Sequence, residues 1–158
     1  GRLFMLKIND KIPNFEILTD KGDFKVSNHL GKNIVVFFFP RADTSGCTAE
    51  SIAFTNHQKK FEKLNCIVIG ISKDNIKKQA KFREKYNLTC ELGADFENNV
   101  CEQFGVWVEK SMYGRKYMGI QRATFLINGK GIITNVWEKV KVPGHADEVL
   151  AAVEKMKM

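Results

Sequence analysis

Three residues in the stretch "FFFPRADTSGCTAES", residues 37–51, have types and spacing that could do chemistry: Pro40, Thr44 and Cys47. The apolar run Phe37 to Phe39 stops at a proline, which lacks the N–H that a continuing strand would need. The polar segment "RADTSG" that follows reads as a loop. Thr44 or Ser45 can cap a helix there, which puts Cys47 in the first turn. The unpaired N–H groups and the positive dipole end of such a turn favour a thiolate over a thiol. The thiolate is the nucleophilic form of cysteine. Gly46 beside it suggests a thiol left open on one side. The bland alternative is a buried cysteine that only packs, but the neighbours here are polar and turn-forming.

A cysteine of this kind needs elements behind it that hold it in place. "KNIVVFFFP" (32–40) is a nearly continuous apolar run, as in a strand covered on both faces. A helix is expected over 48–64, with Ala49, Ile52, Ala53, Phe61 and Leu64 on its buried stripe. "NCIVIGIS" (65–72) is a second buried strand. "KDNIKKQAKFREKYN" reads as an amphipathic helix capped by Asp74, with Ile76, Ala80 and Phe82 inward and the lysines in water. A short strand near Cys90–Leu92 follows, then a short helix ending at Gly105. "RATFLINGKGIITNVW" is two strands joined at Asn128-Gly129, a strong hairpin signal. A closing helix carries Val149, Leu150 and Val153 on one face. An early hairpin turns at Lys21-Gly22. The alternation predicts an α/β fold, one domain over 1–158, with helices on both faces of a central sheet. In such sheets ligands bind beyond the carboxyl ends of the strands, which is where Cys47 falls.

Composition excludes several function classes. The 158 residues are 44% hydrophobic and 27% charged, ordinary for a globular chain. No apolar run approaches the roughly 18 residues of a membrane span. "GRLFMLKIND" shows no apolar core and no small-residue cleavage site, so no secretory signal is expected; its first residues read as a cloning remnant or the trimmed end of a precursor. The net charge of +7 comes from scattered lysines, Lys59-Lys60, Lys77-Lys78, Lys81, Lys85, Lys155 and Lys157, without a basic run or a nucleic-acid signature. They read as solvated faces. The four cysteines, Cys47, Cys66, Cys90 and Cys101, form no C-x-x-C, which excludes a zinc ribbon or a thioredoxin-type dithiol. A reducing, intracellular and cytoplasmic setting fits them, with an organellar or nuclear one left open. His29, His57 and His145 have no i, i+4 partners for a metal. No haem, flavin or nucleotide motif is present, so neither metal nor cofactor is expected.

The spacing Pro40, Thr44, Cys47 (P-x-x-x-T-x-x-C) resembles the peroxidatic motif of the peroxiredoxins. "FFFPRADTSGCTAE" is similar to the peroxiredoxin Q branch, also called bacterioferritin comigratory protein. "VIGISKDNIKKQAKFREKYNL", "GVW", "MGIQRATFLINGKGII" and "GHADEVLAAV" extend the resemblance over roughly residues 7–156. It implies a thioredoxin-like three-layer α/β/α sandwich with a central mixed sheet. It also implies a thiol peroxidase acting on hydrogen peroxide and organic hydroperoxides, in antioxidant defence. By the same resemblance Cys47 attacks the peroxide and becomes a sulfenic acid. Thr44 hydrogen-bonds peroxide and thiolate, and Pro40 shields the pocket. Arg122, in "QRATF", holds the thiolate and the polarising O–O bond, as fixed donors should where charge develops. Glu50 either orients that arginine or, as a first-turn carboxylate, compensates the helix dipole. Ser45 replaces a proline that this branch often carries.

The resemblance thins at the resolving cysteine. One usual position is occupied by Ile52, and the helix over about 74–86 holds no cysteine. Cys66, Cys90 and Cys101 all read as core residues, so Cys47 is expected to be reduced by an external thiol: thioredoxin, glutaredoxin or glutathione. A bond to Cys101 or Cys90 after local unwinding stays open. A monomer is expected rather than a dimer. Two alternatives stand beside the peroxidase: a disulfide oxidoreductase, which lacks its C-x-x-C, and a chaperone-like or nucleic-acid-associated protein that merely keeps the fold.

Overall fold

The computed structural model describes residues 4–156; Lys157 and the first three residues, named above, lie outside them. A seven-stranded mixed sheet forms the centre, in the order β2 (Gly22–Lys25), β1 (Glu16–Thr19), β5 (Glu91–Ala94), β4 (Cys66–Ser72), β3 (Asn33–Phe38), β8 (Ala123–Ile127), β9 (Ile133–Trp137). Its middle is parallel: β3 pairs with β4, and β4 with β5. Antiparallel pairs flank it. On one side β1 joins β5 and makes a hairpin with β2. On the other, β8 pairs with β3 and continues to β9.

The period of two along β3 divides the core. Ile34, Val36 and Phe38 point to one side, where Phe15, Phe104 and Phe125 complete a cluster. Val35, Phe37 and Phe39 point to the other, with Phe54, Phe61, Phe82, Leu126 and Val149. That is why "IVVFFF" has no polar residue: both faces are covered. The helical cover is uneven. The second side carries α1 (Ser45–Asn56), α2 (Gln58–Lys63), α3 (Ile76–Tyr86) and α5 (His145–Met156). The first carries the short α4 (Val100–Phe104) and a 3-10 turn at Val26–His29. Phe104 meets Phe38 and Phe125 at 5.1 Å each and Phe15 at 5.6 Å. Gly70 is a necessity of this packing, because a Cβ there would lie 2.4 Å from the ring of its neighbour Phe37.

Several expectations are corrected. The single helix over 48–64 is two helices, broken at His57, whose backbone leaves helical geometry (φ −102°, ψ 9°). Thr55 and Asn56, both weak helix formers, precede the break, and the His57 ring is held by Asp147 of α5 at 2.6 Å. Ala49 faces solvent, and Phe54 takes the core position. In α3, Ile76 is exposed, while Gln79 and Phe82 are buried. Its cap is Asn75, accepting from Lys78 N at 2.9 Å, because Asp74 is engaged elsewhere. A further hairpin stands apart from the main sheet: β6 (Trp107–Met112) and β7 (Arg115–Ile120). Its strands are largely exposed and lack a buried alternation. Its two-residue turn, Tyr113-Gly114, has positive φ at both positions (53° and 78°) without the Asn-Gly signature.

Candidate active site

Cys47 sits where the end of β3 hands over to α1, at the third residue of that helix. Thr44 is the N-cap, yet its hydroxyl does not cap the helix. It donates back to the Arg41 carbonyl at 2.9 Å. The first N–H groups of α1 are therefore not taken by a capping side chain and remain aimed at whatever lies before the helix. The loop itself is pinned from α3 and the end of β4. Asp74 accepts from the Ala42 N–H at 2.7 Å and the Ser72 hydroxyl at 2.6 Å. Asp43, in left-handed geometry (φ 63°), accepts from the Tyr86 hydroxyl at 2.6 Å and from Lys85 at 3.0 Å.

Arg122 precedes β8, the antiparallel neighbour of β3, so its side chain reaches the carboxyl end of β3. One guanidinium nitrogen donates to the Cys47 sulfur at 3.3 Å, and another donates to Glu50 Oε1 at 2.6 Å. Glu50 is fully buried, and its second oxygen has no hydrogen-bond partner among the described residues. Burial raises its pKa from 4.5 to about 7, against the pull of Arg122. Glu50 lies in the second turn of α1, so dipole compensation does not explain it; holding the arginine does. The Arg122 pKa is itself raised: burial lowers it, and the Glu50 and Cys47 charges outweigh that.

The expectation of an open thiol is overturned, because Cys47 is wholly buried. The space that Gly46 leaves is used by the arginine: a Cβ at Gly46 would lie 3.2 Å from Arg122 Nη2. Cys47 thus combines the burial of a packing cysteine with a contact to a cation, which packing does not require. Of the other expected residues, Pro40 is exposed on the loop and Thr44 is exposed one turn before Cys47. Two neighbours escaped the sequence reading. His145 opens α5, but its ring is buried, bonded to Thr124 at 2.8 Å, with its pKa lowered to about 4 by burial and by Arg122. Lys110 of β6 has a lowered pKa from burial and Arg122, opposed by Cys47. Nothing in "WVEKSM" marks it, since its strand carries no alternation.

The remaining cysteines are buried and free. Burial pushes Cys66 and Cys90 up to about 12, and burial together with Asp95 pushes Cys101 well above its ordinary value. A thiol so raised is a poor nucleophile at neutral pH. Of the four cysteines, Cys47 is the one that accepts a hydrogen bond from a guanidinium, that of Arg122 at 3.3 Å. The arrangement can stabilise a sulfur anion, and it can place guanidinium hydrogens on an oxygen that gains charge beside it.

The AhpC/TSA family pattern matches residues 8–136. The chain is 40% identical over 152 residues to peroxiredoxin Bcp of Bacillus subtilis, covering 96% of this chain and 97% of that one. Among solved structures, a cysteine-to-serine variant of Xylella fastidiosa PrxQ superposes with a TM-score of 0.92 at 31% identity, over 98% and 99% of the two chains. The bacterioferritin comigratory protein of Xanthomonas campestris, studied for its alkyl peroxide reduction, superposes with a TM-score of 0.90 at 32% identity, over 96% and 100%.

Proposed function

The chain belongs to the AhpC/TSA family and is a thioredoxin-fold peroxiredoxin, a thiol-dependent peroxidase, and from that premise we propose that Cys47 is the cysteine that peroxide oxidises. The observation that carries this reading is the Arg122 guanidinium, spanning the Cys47 sulfur at 3.3 Å and the buried Glu50 at 2.6 Å. Cys47 thiolate attacks the terminal oxygen of the peroxide. The O–O bond breaks, and water or an alcohol leaves with a proton. Cys47 is left as a sulfenic acid. Arg122 holds the anion at the start and meets the charge that builds on the departing oxygen. Glu50 positions Arg122. The Thr44 hydroxyl, released from Arg41, bonds the peroxide, and Pro40 bounds its approach.

The oxidised cysteine is reduced by an external thiol, either thioredoxin or a glutaredoxin–glutathione couple. The burial and raised pKa values of Cys66, Cys90 and Cys101 support this over an internal disulfide. The protein acts as a monomer inside the cell. Among the described residues no helix is long and apolar enough to cross a membrane, and the four cysteines are all free, in keeping with a reducing setting. The comparisons favour the enzyme over the chaperone-like or nucleic-acid-associated alternative. The test is thiol-dependent consumption of hydrogen peroxide by the protein and by Cys47→Ser. Activity in the first and its loss in the second are expected; equal activity in both would assign the chemistry elsewhere.

A further inference from the structure

Among the described residues nine large hydrophobic side chains are exposed, and four of them lie on the β6–β7 hairpin: Met112 at 56%, Tyr113 at 99%, Tyr117 at 43% and Met118 at 48%. Scattered singly, such residues need no explanation; gathered on one element they mark an interaction site. The hairpin is fixed at its base and bare at its tip. Trp107 packs against the core, with Lys73 over its ring at 5.2 Å, and Ile120, its partner in the register, is buried. From Ser111 to Met118 every residue is exposed.

The residue at the turn is the outlier. Tyr113 holds φ 53°, a conformation that Asn or Gly takes at less cost. At 99% exposure its ring gains almost nothing from the fold in return. A large side chain held against the preference of its own turn, and given over to solvent, points to a role outside the chain.

The charges around it say of what kind. The hairpin carries Lys110, Arg115 and Lys116 against Glu109, a net of +2. Arg115 makes no side-chain hydrogen bond or ion pair among the described residues. Lys116 meets Glu109 only loosely, at 3.8 Å, with both side chains well exposed. The register sets Met112 opposite Arg115 and Tyr117 opposite Lys110 on one face, while Lys116 and Met118 share the other. A tip that is apolar and basic on both faces offers a folded partner no single face to cover. It suits a soft, planar, anionic surface, where aromatic and thioether groups enter the interface and cations stay among the headgroups.

We propose that the β6–β7 tip docks the protein on an anionic lipid surface, with Tyr113 and Met112 entering the headgroup region and Arg115 and Lys116 lying on the lipid phosphates. One short hairpin with few cations makes this contact peripheral and reversible. It draws on no step of the peroxide chemistry and stands apart from the role of Cys47.

The test is co-sedimentation of the full chain with vesicles at low ionic strength, comparing phosphatidylcholine alone with phosphatidylcholine mixed with phosphatidylglycerol. Binding to the mixed vesicles should be ~30-fold tighter, a factor of about five for each of two net cations, and added salt should erase the difference. Arg115→Glu/Lys116→Glu should remove the preference. Tyr113→Asn should weaken binding several-fold while the thermal midpoint holds or rises, because Asn suits the turn; a merely structural tyrosine would give the reverse. Should the charge reversal unfold the hairpin, Tyr113→Asn still decides. Equal binding to the two kinds of vesicle, or a preference that survives both variants, would overturn the proposal. So would an oligonucleotide bound more tightly than the mixed vesicles at the same salt and lost in Arg115→Glu/Lys116→Glu, which would assign the tip to nucleic acid. A dimer in light scattering that Tyr113→Asn breaks would overturn it as well, by assigning the tip to a second copy of this chain.

Discussion

Replacing Glu50 by glutamine keeps the size and shape of the side chain and removes one ionisation. In the folded protein burial raises the Glu50 pKa from 4.5 to about 7, with Arg122 pulling it down. A carboxyl whose folded pKa lies above its unfolded value stabilises the fold while it is protonated. That contribution is complete below pH 4.5 and is lost as pH rises through 7. A shift of this size corresponds to ~3 kcal/mol. Between pH 5 and pH 8 the native protein should therefore lose about 2–3 kcal/mol of stability through this one group, and Glu50→Gln should not. The assay is urea unfolding of both reduced proteins at the two pH values, compared as a double difference so that every shared titration cancels. The variant should gain on the native protein by that amount from pH 5 to pH 8. The same variant leaves Arg122 without its anionic anchor. Its rate with peroxide should fall about tenfold, less than the loss of a catalytic donor itself. A double difference near zero, or one of opposite sign, would show that the arginine charge outweighs burial, and the account of this pair would be wrong.

Arg122→Lys exchanges a planar fork that reaches Glu50 and Cys47 at once for a single ammonium, so stopped-flow oxidation by peroxide should slow ~100-fold with the fold intact. Gly46→Ala places a methyl group 3.2 Å from Arg122 Nη2; the guanidinium must shift by a few tenths of an ångström, and the peroxide rate should fall roughly 3- to 10-fold at unchanged thermal stability. Gly70→Ala drives a Cβ to 2.4 Å from the Phe37 ring, which should destabilise the protein by about 1–3 kcal/mol in urea unfolding while the activity of the folded fraction persists.

What the sequence disclosed follows physical lines. Segments buried on both faces, such as β3 and β4, announce themselves as unbroken apolar runs. Turns whose geometry demands special residues are equally plain: Asn128-Gly129 joins β8 and β9, and Gly105 ends α4 in left-handed geometry (φ 76°). The hairpin β6–β7 was hidden because neither face is buried enough to impose alternation, and its turn uses Tyr113 in a conformation usually left to Asn or Gly. Asp74 looked like a cap because it precedes a helix, but its partner is the Ala42 amide, thirty-two residues earlier in the chain. The same distinction holds at the candidate site. Pro40, Thr44 and Cys47 form a local pattern, and "QRATF" could be attached to it by resemblance. For Glu50 the sequence leaves two roles open, and the 2.6 Å bond to Arg122 decides for the arginine. That the arginine fills the space beside Gly46, and that His145 of α5 and Lys110 of β6 feel its charge, are long-range facts. They arise only when β8 pairs with β3 and the hairpin brings Lys110 within reach of the Arg122 charge.

The central claim is that Cys47 is oxidised by peroxide and that no cysteine within the chain resolves it. Intact mass after one equivalent of hydrogen peroxide, on the reduced protein and on Cys47→Ser, tests both halves at once. The account predicts a gain of one oxygen in the first and no change in the second. A loss of two hydrogens instead would mean an internal disulfide and contradict the external-thiol mechanism. An unchanged mass in both proteins would contradict the role of Cys47 itself.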